Sequence, residues 1–207
     1  IGMTIGLIVM GAALNVFFST QSTSKTIDQR SAMAANARGA MYLIEENIRL
    51  MGFNPEQDLS PDRIVDTARA GLLRFLRNDP DDPLDDSRDN IVYIGLNAAD
   101  DTDRDGFASG GVSGLIIDGQ RAADHIAALR LAYAFDADGN QAVEVSGAGN
   151  VLWAVDGDND GALDTLLDTN DDGRINTDDA ASGTAMTPVD IADIRAVKIW
   201  LLVRSKY

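Results

Sequence analysis

Ser24 to Phe53 reads SKTIDQRSAMAANARGAMYLIEENIRLMGF, and this stretch decides the fold. It holds no proline and, before Gly52, a single glycine, Gly39. Ile27, Met33, Ala34, Ala37, Met41, Ile44, Ile48 and Met51 recur mostly three or four apart, the period of one helix face. Asp28, Arg30, Arg38, Glu45, Glu46 and Arg49 occupy the other face. Gly52 followed by Asn54-Pro55 is a C-terminal stop signal. Upstream, residues 1–18 read IGMTIGLIVMGAALNVFF without a charged group, and the first charge is Lys25. Eighteen helical residues reach roughly 27 Å, about the thickness of a bilayer's hydrocarbon. A signal peptide would show a basic start and a small-residue cleavage site. Here the apolar run passes into Ser, Thr and Gln instead, which favours a membrane-inserting helix over a signal-peptide core or a buried core helix. Gly2 and Gly6 form a GxxxG pair that permits close helix approach.

The spacing therefore predicts one helix of about fifty residues, far above the globular mean of roughly twelve. Residues 1–24 form its apolar half, suited to a membrane or to a bundle of its own kind. Residues 25–53 form an amphipathic half that packs on a head of residues 54–207. Residues 53–90, with Pro55, Pro61, Pro80 and Pro83, read as loop around an apolar patch at Ala70–Leu76. Ile91–Leu96, Gly114–Asp118, Ile126–Phe135, Gln141–Val145, Val151–Val155 and Ile191–Val203 read as strands separated by Gly/Asn/Asp turns. Strands follow the helix without alternating with helices. The class is α+β: a long N-terminal helix on an antiparallel sheet, with Asp-rich calcium-binding loops.

The 207-residue chain carries 33 acidic and 17 basic side chains, a net charge of −16. Two Asp-rich, Glu-free windows, residues 79–105 and 156–179, each contribute −8, and the rest is neutral. With no basic patch, nucleic-acid binding is excluded. There is no cysteine and one histidine, His125, so thiolate and His-rich metal sites are unavailable. His125 reads as an ordinary surface or satisfied histidine. No Walker A or GxGxxG pattern occurs, and Gly110–Gly114 lacks the spacing of a nucleophile elbow. No catalytic residue is assigned, and the chain is read as a non-enzyme.

Arg38–Phe53 resembles the N-terminal helix of type IV pilins, and more narrowly of PilW-type minor pilins. Glu46 to Phe53 matches that family's helix ending, E-x-I-R-x-A/M-G-F/Y. Arg195–Ser205 resembles its V-x-I-x-L-L-V-R-S strand, and Ile126–Asp136 (IAALRLAYAFD) its strand ending in Tyr. Mature members begin with a methylated Phe or Met and carry Glu five residues in. The apolar run here has no Glu, so several residues are expected before Ile1, and neither the processing site nor that Glu is transferred. Members usually continue past the LLVRS strand, so either a further segment or a shortened member is expected. The resemblance implies a filament subunit that helps initiate or cap pilus assembly. Its helix would be held in the inner membrane, then packed among other pilin subunits in an extracellular filament. The J-type pseudopilin of type II secretion has the same architecture. A calcium-dependent adhesin and a membrane-anchored carboxylate hydrolase are the other readings.

The acidic windows carry the chemistry. Asp168, Asn170 and Asp172 stand at positions one, three and five of a twelve-residue calcium loop, with Gly173 at six. Arg174 offers its carbonyl at seven, Asn176 stands at nine, Ile175 is the apolar anchor, and Asp179 ends the loop. Twelve residues upstream, Asp156, Asp158, Asp160, Ala162 (by its carbonyl) and Asp164 repeat positions one to nine, making a tandem. Ca²⁺ takes six to eight oxygens, which such spacing supplies without histidine or thiolate. One or two ions are expected there, with a structural role. No long amphipathic helix flanks the tandem, which disfavours an EF-hand sensor. Asp101, Asp103 and Asp105, with Gly106, form a third half-loop in which Val112 falls at twelve. Asp136-Ala137-Asp138-Gly139 reads as a strand turn and residues 79–89 as a solvated loop. Trp153 and Trp200 read as core or strand-face residues. Met3, Met10, Met33, Met41 and Met51 read as packing residues of the helix.

Overall fold

The computed structural model describes residues 2–52, 64–77 and 91–205, with the side chains of residues 2–9, 12 and 13 left out. The solvated loop expected at residues 79–89 lies outside the described residues, and Met3 and the Gly2–Gly6 pair are described as helix backbone alone. Helix α1 runs Gly2–Arg49, 48 residues, and Gly52 at φ +72° turns the chain away. Among the described residues nine antiparallel strands follow: β1 Val65–Ala68, β2 Leu72–Leu76, β3 Ile91–Leu96, β4 Ser113–Ile117 and β5 Gln120–Phe135, then β6 Ala154–Val155, β7 Ala162–Leu166, β8 Thr184–Asp190 and β9 Ile194–Val203. The chain is α+β, a long N-terminal helix packed on one curled antiparallel sheet.

The sixteen-residue β5 organises that sheet. One of its edges pairs with β9 along most of its length, from Ile126↔Val203 to Phe135↔Ile194. Its other edge is covered in relay. β4 pairs as far as Ser113↔Ile126, then Phe107 bridges Ala128. Leu131 N–H next donates to the Ala70 carbonyl at 2.7 Å, and Tyr133 pairs with Ala154 of β6. β1, β2 and β3 extend the sheet beyond β4, and β7 and β8 extend it beyond β6.

The core lies between this sheet and the C-terminal part of α1. Ala40 and Ile44 are buried there with Leu73, Phe75, Ile94, Leu96, Leu115, Leu129, Leu131 and Phe135. Leu43, Ile48 and Met51 pack at its margin. The Asn36 side-chain amide donates to the Asp124 carbonyl, fixing the helix on β5. Towards its N-terminus the helix leaves the head, and Leu14, Val16, Phe17 and Phe18 are exposed. Among the described residues no helix is long and apolar enough to cross a membrane. The segment expected to do so, residues 1–18, falls largely outside the described side chains.

Several expected elements differ. Val65–Ala68 and Leu72–Leu76, expected as loop and apolar patch, are paired strands buried at every position except Asp66 and Arg74. Gln141–Val145 is no strand: only Val145 makes an isolated bridge, to Val151. β7 and β8 arise where loop was expected. β8 contains Pro188 and is mostly exposed, as an edge strand can be. Trp153 and Trp200 are half-buried and flank Lys198, whose Nζ lies 5.0 and 5.3 Å from their ring centroids. His125 is half-buried at a bulge of β5, with φ +60°.

Candidate metal centres

Four aspartates are buried in the described head: Asp101, Asp136, Asp156 and Asp168. Each opens a loop of the same construction. The N–H of the sixth residue donates to Oδ2 of the first. These bonds are Gly106 to Asp101 at 3.2 Å, Gln141 to Asp136 at 2.8 Å, Gly161 to Asp156 at 3.1 Å and Gly173 to Asp168 at 2.8 Å. The N–H of the seventh residue donates to the side chain of the fifth: Phe107 to Asp105, Ala142 to Asn140, Ala162 to Asp160 and Arg174 to Asp172, at 2.8–2.9 Å. The fourth and sixth residues all adopt positive φ. Alternate side chains thus turn their oxygens inward around the first carboxylate.

Three of these loops gather three carboxylates whose oxygens lie within 4.8 Å of one another and could hold a metal ion. They are Asp101, Asp103 and Asp105; Asp136, Asp138 and Glu144; and Asp156, Asp158 and Asp160. In the fourth loop the Asp172 N–H donates to Asp168 Oδ1 at 3.2 Å and to Asn170 Oδ1 at 3.1 Å, so an amide oxygen stands at the third position. Burial raises the pKa of Asp101, and the Asp105 charge adds to this. Burial also raises Asp156, against the opposing N–H groups of Gly161, Asn159 and Asp160. For Asp136, burial is outweighed by N–H groups of Gln141, Gly139 and Asn140 and by the Arg195 guanidinium, and its pKa falls.

Further acids close the loops. Asp164 Oδ1 accepts from Gly157 N–H at 2.9 Å, Glu144 Oε1 from Ala137 N–H at 3.2 Å, and Asp179 Oδ1 from Thr169 N–H at 2.7 Å. Asp179 Oδ2 also accepts from Asn176 N–H, and Asn176 Oδ1 accepts from Asp178 N–H. Asp179, Asn176 and Asp164, expected as ligands, thus accept main-chain N–H groups within their own loops. Asn150, not anticipated from sequence, supports the Asp168 loop by donating to the carbonyl and Oδ1 of Asp171. β6, β7 and β8 flank the tandem, with no helix among them.

Asp136–Gly139, expected as a strand turn, does follow β5 as a turn, and the segment through Glu144 also gathers three carboxylates. Gln141 stands where the calcium-loop rule wants glycine, yet takes φ +69°. The alternating Asp136 and Asp138, followed by Glu144, were the signals available in the sequence.

No protein-family model, curated protein or solved structure matches the chain.

Proposed function

We propose that the chain is a structural subunit of a type IV pilus, a PilW-like minor pilin that helps initiate or cap the filament. The observation that carries this is the divided environment of α1. Ile44 and Ala40 are sealed in the head, while Phe17, Phe18, Val16 and Leu14 stand exposed further along the same 48-residue helix. Exposed apolar side chains on a protruding helix call for a partner. Neighbouring subunit helices would supply it in the filament, and the inner membrane before assembly. The PilW-like ending at Glu46–Phe53 and the strand at Val197–Ser205 support the same reading. The filament would place the head outside the cell, where calcium is plentiful.

In this reading Ca²⁺ occupies the tandem loops at 156–179. Asp156, Asp158 and Asp160 would hold one ion, and Asp168, Asn170 and Asp172 a second. The ion supplies positive charge where carboxylates otherwise repel each other. Extracellular modules with Kd of roughly 0.1–1 mM remain filled outside the cell.

The test is Phe17→Asp in the full chain, produced in a piliated host whose own copy is deleted. Sheared surface filaments should lose the subunit and fall in number, while the head's melting temperature is unchanged. Normal incorporation of the variant would overturn the reading.

A further inference from the structure

Asp101 differs from its three counterparts in one atom. In the other loops the fifth residue's N–H satisfies Oδ1 of the first: Asn140 to Asp136 at 3.0 Å, Asp160 to Asp156 at 3.2 Å and Asp172 to Asp168 at 3.2 Å. Asp101 Oδ1 has no such bond. It is buried without a hydrogen-bond partner, the one such side-chain atom among the described residues. Asp101 itself is 0% exposed. A buried carboxylate oxygen left unpaired is expensive, and native structures satisfy it with an ion, a water or a donor.

Protein cations reach this loop but do not pair with its carboxylates. Arg69 Nη2 donates to the main-chain carbonyl of Asp103 at 2.9 Å. Arg104 Nη1 donates to Tyr93 Oη at 2.6 Å and to the Leu96 carbonyl at 3.2 Å. No ion pair forms to Asp101, Asp103 or Asp105 among the described residues. The Phe107 carbonyl is not spent on joining β5, since Gly106 O and Ala108 N make those two bonds. It stands at loop position seven, where a calcium loop uses a carbonyl.

We propose that the β3–β4 loop binds a divalent, oxygen-preferring cation of the calcium class on Asp101, Asp103 and Asp105. The ion clamps this loop into the β5 edge. Gly106 O accepts from Leu129 N–H at 2.9 Å, and Ala108 N–H donates to the Ala127 carbonyl at 3.0 Å. Gly71 N–H donates to the Arg104 carbonyl at 3.0 Å. The loop therefore bridges the gap between β4 and the β1–β2 turn, and charge repulsion inside it acts on the middle of the sheet. The site stands apart from the tandem loops and from the filament reading.

The test counts Ca²⁺ per chain by native mass spectrometry on the full chain released from mild detergent. It is paired with melting in Ca²⁺ and in EGTA, and with amide exchange. Asp101→Asn should bind one ion fewer and lose part of the calcium-dependent rise in melting temperature. In EGTA it should melt no lower than wild type, because it keeps an acceptor for Gly106 N–H and removes a buried charge. Asp105→Asn, an exposed position, should lose the same ion and guards against misfolding of the first variant. Wild-type Leu129 and Gly71 amides should exchange faster in EGTA. Asp156→Asn should lose a different ion and leave this one, so failure of the tandem is read separately. An unchanged count in both loop variants, or equal destabilisation with and without Ca²⁺, would overturn the proposal.

Discussion

Gly71 and Gly106 lie backbone to backbone in the seam where the β3–β4 loop meets the β1–β2 turn. A Cβ on Gly71 would collide with the Gly106 amide nitrogen, and one on Gly106 with the Leu129 carbonyl. The contact lets a loop carrying three carboxylates substitute for a strand along β5.

Gly106→Ala should therefore cost about 3 kcal/mol, or roughly 10 °C of melting temperature, because both the steric clash and φ +86° oppose it. Gly119→Ala is the control. It has φ +71° but nothing near its Cβ, and should cost about 1 kcal/mol. Denaturant melts of the two variants decide whether close approach or backbone conformation dominates.

The helix–head contact should show an equally sharp asymmetry. Ile44 is fully buried, so Ile44→Ala should cost about 3 kcal/mol through lost burial and the cavity left. Tyr42, two residues away and 65% exposed, should change stability by no more than about 0.5 kcal/mol when replaced by Ala. Similar costs for both would mean that α1 does not pack as described.

Tyr133 is fully buried, and its Oη donates to the Arg69 carbonyl at 3.1 Å. Burial keeps the phenol protonated by raising its pKa, and the nearby Asp156 charge adds to this. Tyr133→Phe preserves the ring but strands the carbonyl of the turn. Thermal melting should show a loss of about 1–2 kcal/mol.

Calcium withdrawal should lower stability by mass action. A site filled at a hundredfold excess over Kd contributes about 2.7 kcal/mol, roughly 5–10 °C here. EGTA should reproduce that fall in wild type, and Asp156→Asn should reduce it. Identical melts with and without Ca²⁺ would leave the tandem without an ion.

The pH dependence should have two limbs of opposite sign. Asp136, Asp171 and Asp179 have pKa values below the ordinary 3.8, held there mainly by N–H donors and, for Asp171, by Ser146 and Asn150. Their stabilisation is complete above 3.8 and is lost as pH falls through the depressed values. Asp101 and Asp156 are raised by burial. Without metal their contribution is present below 3.8 and is lost as pH rises through the raised values. Melting curves in EGTA should therefore show Asp136→Asn flattening the acid limb and Asp101→Asn flattening the limb above it.

The long helix was legible because its apolar period runs unbroken to a Gly-Phe-Asn-Pro stop. Three acidic loops were legible because Asp alternates with a glycine at position six. The 136–144 loop was not, because Gln141 takes the left-handed conformation that the pattern assigns to glycine. β1 and β2 were obscured by a Pro-rich neighbourhood, and β8 by its own proline and exposed face.

By itself the sequence determined the α+β class, the division of α1 into an apolar and an amphipathic part, and the spacing of the acidic side chains in the loops. These are local properties, set by period and by residue type. Only the tertiary structure decided which carboxylates are buried and which oxygen is left unpaired. It also decided that Gly71, thirty-five residues from Gly106 in sequence, makes room for the loop of Asp101. Burial and close approach arise when distant segments share the edge of β5, and no local pattern encodes that meeting.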